Sequence, residues 1–441
     1  MSAGSIAVVG AGLAGLRACE GLRDRGFDGR ITLIGDEPHL PYDRPPLSKQ
    51  FLAGEWDADR VTLRSGDQLA MLGLEALLGP SYRVVGLDLA ARRLSLAGGD
   101  SVSFDGLVLA TGSAARRLPG ISGLPGTYLL RTLDDAVALR SVLSRASARL
   151  GLAGAGFIGL EVAATARRLG AEVTVVEPLD VPLGRVLGPV AGGACELMHR
   201  EEGVTFHLRT VIEAVHTSGS TGPDGATAGT GAGAPHDRAG DTGPIRCHLS
   251  NGHVLEVDAL LVGIGAAPSV AWMDGSGLDA GPDGVRCDDS LVAAPGVVVA
   301  GDLARWPAPG PRGIAVPAET IRVEHRTNAA EQGDVAAGSL LANLGWIAAA
   351  AAAADEPPSY TVPYVWSDQY KVKIQVLGLP RPDDEVIVVE GDPAERRFLA
   401  LHGRRGRLAG VVGFARPRHV MSLRPLLERN ATLDEAKALF A

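Results

Sequence analysis

Two glycine-rich segments of the chain have the residue types and the spacing that bind a phosphate group. Both follow the pattern Gly-x-Gly-x-x-Gly, and they occupy residues 10–15 and 154–159. In such a loop the first glycine permits a tight turn, the second lets a pyrophosphate approach the backbone, and the third lets a helix pack on a strand. Ordinary turns are the alternative for either loop alone, because the chain contains 58 glycines. Two such loops together predict that the chain holds two dinucleotides.

The elements that must position these loops flank each of them. Residues 6–9 and 150–153 are short apolar runs of the kind found at buried strand ends, and residues 16–25 and 160–169 carry apolar side chains with helical periodicity. Each loop is therefore predicted to join a strand to a helix, whose N-terminus adds its positive dipole to the phosphate site. The pattern predicts an α/β fold class with two Rossmann-like dinucleotide-binding domains.

An acidic residue is expected about 20 positions after each loop, where it can accept hydrogen bonds from the adenosine ribose. Asp36 and Glu37 follow the strand that is predicted at residues 30–35, after the first loop. Glu177 follows the strand that is predicted at residues 172–176, after the second loop. We favour Asp36 over Glu37. After Glu177 no arginine occurs until Arg185, so the 2′-phosphate of NADPH would meet a carboxylate. The sequence therefore predicts NADH rather than NADPH.

Composition excludes several classes of protein. The 441 residues are 46% hydrophobic and 21% charged, with a net charge of −9, which is ordinary for a globular protein of more than one domain. No apolar run reaches the roughly 20 residues that a membrane helix needs, and the N-terminus passes straight into the first strand. We therefore expect a cytoplasmic protein with no membrane and no nucleic-acid partner. The four cysteines lie far apart and the ten histidines lack paired spacing, so no metal site is predicted.

Two segments of unusual composition interrupt the pattern. Residues 216–244 are mostly Gly, Ala, Thr, Ser, Pro and Asp, which predicts a disordered loop within a sheet. Residues 348–354 are an alanine run followed by prolines, which favours a linker. Four short β-rich segments follow it, at residues 372–376, 385–389, 398–401 and 408–412. With a helix from about Met421, they predict a small α+β C-terminal domain.

Five stretches of the chain carry a more specific signal than the glycine loops. The longest is ITLIGDEPHLPYDRPPLSK at residues 31–49, and the others are LATGS at 109–113, LRTLDDA at 130–136, AGD at 300–302 and YVWSDQY at 364–370. With two dinucleotide motifs in this order, the chain resembles the FAD-dependent pyridine nucleotide oxidoreductases, which have the glutathione reductase fold. Among them it is most similar to the putidaredoxin reductase-like ferredoxin reductases, which serve bacterial cytochromes P450 and ring-hydroxylating dioxygenases.

This resemblance implies that the first loop binds FAD non-covalently and the second binds NADH. It places the following residues at FAD: Gly10, Gly12, Leu13, Ala14, Gly15, Asp36, Arg44, Lys49, Val84, Ala110, Thr111, Gly112, Arg131, Gly301 and Asp302. It places Gly154, Gly156, Phe157, Gly159 and Glu177 at NADH, and it implies further cofactor-binding residues at Ile158, Glu161 and Gly265. Asp302 would hold the ribityl chain of FAD. It follows the apolar run at residues 297–300 and so lies at a predicted strand end, which is where ligands of open α/β sheets bind.

Lys49 and Glu161 are the residues to which the resemblance gives a catalytic role, as an ion pair beside N5 of the flavin. A fixed ammonium stabilises the negative charge of reduced flavin, and the carboxylate keeps the ammonium charged and oriented. The alternatives are that Lys49 is a solvated lysine and that Glu161 is a first-turn acid favoured by the helix dipole.

The chain departs from the family pattern in two places. An aromatic residue that can gate the nicotinamide is often tyrosine in the wider group, and it is Phe157 here. Stacking survives this change, whereas a hydroxyl hydrogen bond is lost. The segment 324–326 reads Glu-His-Arg where many relatives have Glu-His-Trp, which puts its contact with the flavin or the partner in question.

The reaction type follows from missing cysteines. Disulfide reductases of this fold have a cysteine pair in the segment that is residues 41–52 here, and this segment has none. Electrons must then leave directly from the flavin, which can release them singly, so a one-electron carrier such as an acidic [2Fe-2S] ferredoxin is the fitting partner. The alternatives are a rubredoxin reductase and, from another class, an apoptosis-inducing-factor-like redox switch.

The resemblance also implies a domain division and a docking face. We predict an FAD-binding domain (residues 1–114 and 268–335), an NADH-binding domain (115–267) and a C-terminal domain (336–441), in a monomer or weak homodimer. A subset of nine arginines in the C-terminal domain is expected to form the ferredoxin docking face with Arg305 and Arg312. The nine are those at 396, 397, 404, 405, 407, 416, 418, 424 and 429. A solvated basic surface is the alternative.

Overall fold

A computed structural model of the protein describes residues 4–217, 243–307, 320–348 and 362–440. The chain forms two compact units. The first consists of residues 1–43, 62–114 and 267–365, and the second of residues 44–61, 115–266 and 366–441. The predicted disordered loop and the alanine-rich linker lie outside the described residues except at their ends, as does Arg312. The division into three domains stays a prediction.

The first unit is built on a sheet of six strands in which the strand Ser5–Val9 is central. The strand order is Val292–Ala294, Val297–Val299, Gly106–Leu109, Ser5–Val9, Arg30–Gly35 and Leu74–Leu78. All neighbours are parallel except the first pair. Its central strands are continuous apolar runs that are buried, as expected where helices cover both faces.

The helices Leu13–Asp24 and Arg326–Asn343 pack against each other in this unit. Their approach is close, because a Cβ atom at Gly333 would lie 2.4 Å from the carbonyl oxygen of Ala14. The second helix runs across the boundary predicted between residues 335 and 336, and it belongs wholly to the first unit.

Smaller elements complete the first unit. A three-stranded antiparallel sheet consists of Val84–Asp88, Arg93–Leu96 and Ser101–Ser103, and a four-stranded sheet of Ala280–Gly281, Gly284–Arg286, Ala304–Pro307 and Thr320–Ile321. The helix Gly66–Met71 and the 3-10 turns Pro80–Tyr82, Ala271–Met273 and Gly301–Leu303 connect them. The short strands Ser113–Ala115 and Ala266–Pro268 lie where the chain passes between the units.

The second unit repeats the parallel architecture of the first. Its five parallel strands are ordered Thr205–Leu208, Glu172–Glu177, Arg149–Ala153, Ala259–Val262 and Thr127–Tyr128. An antiparallel sheet of Ile212–His216, Ile245–Leu249 and Val254–Val257 adjoins it through a shared apolar core. The two sheets with their strand–loop–helix starts confirm the predicted fold class.

Helices of the second unit include Ala58–Val61, Leu133–Leu143, Phe157–Arg168 and Gly184–Glu201. The last of these is kinked at Gly188, whose φ is +70°, immediately before Pro189. Proline removes a backbone donor and clashes with the preceding turn, which accounts for the kink. The 3-10 turn Pro45–Ser48 immediately precedes Lys49.

The C-terminal part of the second unit contains a five-stranded antiparallel sheet. Its strand order is Tyr364–Gln369, Val372–Gly378, Arg407–Phe414, Arg397–Arg404 and Glu385–Asp392. Phe398 and Phe414 are cross-strand partners in it, fully buried, and their rings stack with centroids 4.6 Å apart. The predicted α+β character of this segment agrees with the structure.

The predicted single helix from about Met421 is wrong. Three short helices replace it, at Pro417–Ser422, Arg424–Glu428 and Leu433–Lys437, followed by the 3-10 turn Ala438–Phe440, and the turn Pro393–Glu395 precedes them in the chain. Pro425 can occupy only the first turn of a helix, so a new helix must begin at Arg424. Asn430 adopts a left-handed φ of +52°, which ends that helix.

Candidate functional site

The first glycine loop joins the strand Ser5–Val9 to the helix Leu13–Asp24. Gly10 has a φ of +113°, and a Cβ atom there would lie 2.1 Å from the carbonyl oxygen of Ala110. A Cβ at Gly15 would lie 1.9 Å from the oxygen of Gly10, whereas one at Gly12 would meet nothing within 4 Å. Packing of the chain therefore explains the first and third glycines, and the space above Gly12 leaves room for a phosphate.

The second loop has the same division of roles. Gly154 has a φ of +101°, and a Cβ there would lie 2.6 Å from the oxygen of Gly263, while one at Gly159 would lie 2.7 Å from the oxygen of Gly154. At Gly156 the nearest atom is the oxygen of Gly263 at 4.0 Å. Both loops thus present a cradle that a side chain would fill.

The helices that follow the loops are suited to an anion. Gly12 and Gly156 are their N-cap residues, so no side chain satisfies the first backbone N–H groups, and the first turn of neither helix contains an acid. Orphan N–H groups and the helix dipole favour a negative charge at such a position. The residues present therefore fit the pyrophosphates of two dinucleotides.

Other predicted FAD residues of the first unit lie at the same edge of the sheet as the first loop. Residues 110–112 follow the strand Gly106–Leu109, and Gly301 and Asp302 follow Val297–Val299, which is parallel to it. A Cβ atom at Gly301 would lie 3.0 Å from that of Ala14, next to Leu13.

Two predicted residues of the first unit have less distinctive surroundings. Asp36 is exposed directly after the strand Arg30–Gly35, and its neighbour Glu37 accepts a hydrogen bond from the Tyr42 hydroxyl at 2.5 Å. Val84 lies outside the six-stranded sheet, buried in the three-stranded one, where it pairs with Leu96.

The Glu-His-Arg segment takes part in a polar cluster of the first unit. Arg326 donates to both carboxylate oxygens of Asp43, at 2.7 and 3.0 Å. Nδ1 of His325 is buried without a hydrogen-bond partner among the described residues, and burial lowers the pKa of this imidazole to about 4. The arginine that replaces the family's tryptophan is thus part of an ion pair.

In the second unit, the carboxylate of Glu177 is hydrogen-bonded to the backbone of the second glycine loop. It accepts the backbone N–H of Ala155 at 2.7 Å and that of Leu179 at 3.0 Å, and the residue is only 7% exposed. A carboxylate has about four lone-pair sites, so two hydrogen bonds leave capacity for ribose hydroxyls. Phe157 is half-buried, whereas Ile158 and Gly265 are exposed.

An arginine that sequence order did not reveal lies close to Glu177. Arg209 donates its backbone N–H to the oxygen of Leu179, and its guanidinium pairs with Asp180 at 2.6 Å. No arginine occurs between Glu177 and Arg185 in the chain, but the strand Thr205–Leu208 brings Arg209 back beside the segment.

The two predicted catalytic residues form an ion pair. Nζ of Lys49 donates to Oε2 of Glu161 at 2.7 Å, and only 12% and 7% of the two side chains are exposed. Both alternatives raised from the sequence are wrong, because Lys49 is not solvated and Glu161 lies beyond the first turn of its helix. Charged groups in such a position are retained in proteins only when they are paired.

Two hydroxyl groups that sequence analysis missed complete the surroundings of Glu161. Ser48 donates to Oε2 at 2.5 Å and Ser367 donates to Oε1 at 2.7 Å. The carboxylate therefore receives three donors. Both serines lie inside stretches that carry the family resemblance, at 31–49 and 364–370, which was the only available signal.

Arg44, also predicted, donates to the carbonyl oxygen of Arg131 at 2.5 Å.

The cysteines are unreactive in this structure. All four are free and buried. Burial raises the pKa of Cys19 and Cys287 to about 12 and that of Cys247 to about 11, and it raises that of Cys195 further still. Thiolates are the reactive form, so no described cysteine is suited to redox exchange.

The C-terminal arginines do not form a uniformly basic surface. Five of the nine are neutralised by carboxylates, in the pairs Arg396–Glu201, Arg404–Asp384, Arg416–Glu390, Arg424–Glu428 and Arg429–Glu435. Arg397, Arg405 and Arg418 are exposed and form no ion pair with the described residues. Arg305, in the first unit, pairs with Asp279 at 3.1 Å.

The described part of the chain contains neither a metal-binding cluster nor a membrane-spanning helix. No group of three or more His, Cys, Asp or Glu side chains in these residues could hold a metal ion. None of their helices combines the length and apolar character needed to cross a membrane.

Two Rossmann-like sheets, each with a phosphate loop, and a buried lysine–glutamate pair define a two-dinucleotide oxidoreductase. The family described as pyridine nucleotide-disulphide oxidoreductase matches residues 4–333, and the reductase C-terminal family matches residues 364–439. The chain therefore belongs to the pyridine nucleotide-disulphide oxidoreductases and, among them, to the ferredoxin reductases, which are FAD- and NAD(H)-dependent enzymes.

Individual relatives agree with this placement. Rhodocoxin reductase of Rhodococcus erythropolis is 34% identical over 98% of this chain and 92% of its own length. The ferredoxin–NAD(+) reductase component of the anthranilate 1,2-dioxygenase system of Burkholderia cepacia is 35% identical over 98% and 96%. The crystal structure of the covalent putidaredoxin reductase–putidaredoxin complex matches with a TM-score of 0.83 and 29% identity, over 98% of this chain and 94% of that one.

Proposed function

We propose that this enzyme takes electrons from NADH and passes them singly to a [2Fe-2S] ferredoxin that serves a cytochrome P450 or a ring-hydroxylating dioxygenase. The observation that carries the proposal is the buried Lys49–Glu161 pair, formed in a chain that has no cysteine in residues 41–52. FAD, when bound, accepts two electrons from NADH and can release them one at a time. NADH is available in the cytoplasm, where we place the protein.

Lys49 would stabilise negative charge on the reduced cofactor. Its ammonium is held at one position by Glu161, which Ser48 and Ser367 hold in turn. Fixed charges in a site with little water stabilise developing charge without the cost of reorienting solvent. The pair requires no proton exchange to have this effect.

NADH is the proposed donor because Glu177 lies, buried and negatively charged, where the adenosine ribose is expected. A 2′-phosphate there would meet the carboxylate at close range. Arg209, which lies beside this segment, pairs with Asp180 at 2.6 Å. This local balance of charge favours a ribose hydroxyl over a phosphate.

A one-electron iron-sulfur protein is the proposed acceptor. The names of two relatives support it, since one is a ferredoxin–NAD(+) reductase component of a dioxygenase system and the other is putidaredoxin reductase in a complex with putidaredoxin. Without a reactive cysteine, the chain has no disulfide through which two electrons could leave together. For docking we propose a particular subset of the nine, namely the exposed arginines Arg397, Arg405 and Arg418.

Anaerobic stopped-flow absorbance tests this proposal. The yellow holoenzyme should be bleached by NADH much faster than by NADPH, and it should then be reoxidised at once by a [2Fe-2S] ferredoxin. Fast reoxidation by rubredoxin but not by ferredoxin would identify a rubredoxin reductase. A slow reduction that ends in a long-lived charge-transfer complex, which neither carrier discharges, would identify a redox switch.

A further inference from the structure

A continuous run of hydrogen bonds leads away from Glu161 through the interior of the second unit. Ser367 Oγ lies 2.7 Å from Glu161 Oε1, and Gln369 Nε2 lies 3.0 Å from Ser367 Oγ. His199 Nε2 lies 2.9 Å from Gln369 Oε1, and the Tyr370 hydroxyl lies 3.1 Å from His199 Nδ1. The strand Tyr364–Gln369 supplies Ser367 and Gln369, the helix Gly184–Glu201 supplies His199, and Tyr370 directly follows the strand.

The run is inaccessible to water over most of its length. Ser367, Gln369 and His199 are fully buried, and only Tyr370 at its outer end is partly exposed. Burial lowers the pKa of His199 to about 4, so the imidazole is neutral at pH 7. A neutral imidazole has one N–H donor and one acceptor nitrogen. It can therefore donate to the Gln369 oxygen and accept from the Tyr370 hydroxyl.

The carboxylate of Glu161 fixes the direction of every bond in the run. A carboxylate only accepts hydrogen bonds, so Ser367 must direct its hydroxyl hydrogen to Glu161. Ser367 Oγ must then accept from the amide NH₂ of Gln369, which leaves the Gln369 oxygen to face His199. His199 must therefore carry its hydrogen on Nε2 and accept the Tyr370 hydroxyl at Nδ1.

We propose that Ser367, Gln369, His199 and Tyr370 are positioning residues that hold Glu161, and through it the ammonium of Lys49. All four dipoles point toward the carboxylate. Oε1 is thereby occupied by Ser367, which leaves Oε2 for Lys49 and Ser48. The proposal rests on the proposed function for the role of Lys49, although the arrangement itself does not depend on any electron carrier.

The substitution Glu161→Gln should reverse the direction of every hydrogen bond in the run. In Glu161→Gln, the side-chain oxygen should remain with Lys49 and Ser48, so the new NH₂ group faces Ser367. The Ser367 hydroxyl must then donate to Gln369, whose amide must turn over and present its NH₂ group to His199. His199 should therefore change from the Nε2–H tautomer to the Nδ1–H tautomer.

Nitrogen NMR of the FAD-bound enzyme labelled with ¹⁵N-histidine measures this tautomer without any turnover. We expect the Nε2–H form in the wild type and the Nδ1–H form in Glu161→Gln. Glu177→Gln is the matched control, since it changes another buried glutamate of the same unit, and it should leave His199 unchanged. An Nδ1–H tautomer in the wild type, or the same tautomer in the wild type and Glu161→Gln, would overturn the proposal.

A second set of variants tests the link at Ser367. Ser367→Ala removes the donor to Glu161, so both tautomers of His199 should be populated, and flavin reduction by NADH should become roughly three- to tenfold slower. Thr127→Val is the control, because Thr127 is a buried hydroxyl of the same unit that donates to Leu124 instead. Equal slowing in both variants, or an unchanged His199 in Ser367→Ala, would contradict a positioning role.

These readouts separate this proposal from the proposed function. A tautomer switch in an enzyme that fails to reduce ferredoxin would leave the positioning run intact and refute only the choice of acceptor. Normal ferredoxin turnover without the switch would refute only the positioning run. The tautomer depends on neither NADH nor ferredoxin.

Discussion

Lys49 and Glu161 form an ion pair in the interior of the second unit, with 2.7 Å between Lys49 Nζ and Glu161 Oε2. The two residues are 112 positions apart in the chain. The 3-10 turn Pro45–Ser48 delivers the first, and the helix Phe157–Arg168 delivers the second. Since Ser48 and Ser367 also donate to Glu161, the carboxylate is held from both sides and the ammonium has a fixed partner.

We expect Lys49→Met to slow flavin reduction by NADH about a hundredfold, since a fixed charge beside developing charge contributes about 2.7 kcal/mol or more. FAD should stay bound, because the phosphate loops are untouched. Stopped-flow absorbance measures the rate, and the protein-bound flavin spectrum measures retention.

The same variant leaves a buried carboxylate unpaired, which costs roughly 3–5 kcal/mol when no other donor compensates. Ser48 and Ser367 should reduce this cost. The double variant Lys49→Met/Glu161→Gln removes the unpaired charge, so its melting temperature should recover while its reduction rate stays low. Recovery of the rate in the double variant would show that the slowing came from instability, and that the ammonium has no electrostatic role.

Nucleotide preference should respond to both Glu177 and Asp180. Glu177→Ala removes the carboxylate that a 2′-phosphate would meet, and Asp180→Ala releases the guanidinium of Arg209. We expect the double variant to gain roughly tenfold or more in kcat/KM for NADPH, since hydrogen bonds to charged groups contribute about 1.5–3 kcal/mol. Adding Arg209→Ala should remove the gain. An NADH advantage that is unchanged in the double variant would mean that the ribose lies elsewhere.

Stability should fall in mild acid because of His199. Burial lowers its pKa to about 4 from the ordinary value of 6.5, so between these values the unfolded chain binds a proton that the native protein excludes. Stability is therefore complete above about pH 6.5 and is lost as the pH falls toward 4, by about 3 kcal/mol in all.

The measurement is the melting temperature of the wild type and of His199→Gln at pH 7 and pH 5. The variant should lose less than the wild type between these two values. His253→Gln, which changes an exposed histidine, should behave like the wild type. His325 and His402 also have pKa values lowered by burial, so part of the acid sensitivity should persist in every variant.

Local patterns in the sequence were sufficient for the fold and for the glycine loops, because strands, turns and helices of Rossmann type leave contiguous signals. The predicted strand ends at residues 6–9 and 150–153 lie in the strands Ser5–Val9 and Arg149–Ala153. Long-range partners had no such signal. Arg209 comes beside Asp180 only through the pairing of parallel strands, and Ser367 meets Glu161 from 206 positions away.

The charge of the C-terminal segment also depends on long-range partners that the local sequence does not reveal. Nine arginines against one acid in residues 396–429 predicted a basic face, yet the carboxylates that neutralise five of them come mostly from elsewhere in the chain. Arg416 is the clearest case, because it pairs with Glu390 and is only 13% exposed. Arg416→Glu would therefore place two carboxylates together in a nearly buried position and disturb the sheet rather than test docking.

The exposed arginines Arg405 and Arg418 offer the cleaner test of docking to an acidic ferredoxin. Association should weaken with salt, because exposed charges are screened beyond about 8 Å at physiological ionic strength. Arg405→Glu/Arg418→Glu should lower kcat/KM for the ferredoxin about tenfold at low ionic strength and flatten its salt dependence, while flavin reduction by NADH stays at the wild-type rate. The charge-matched control is Arg145→Glu/Arg246→Glu, which reverses two exposed arginines outside the C-terminal segment. An equal loss of kcat/KM in both double variants would show that net charge alone causes the loss, and it would exclude these arginines as the docking face.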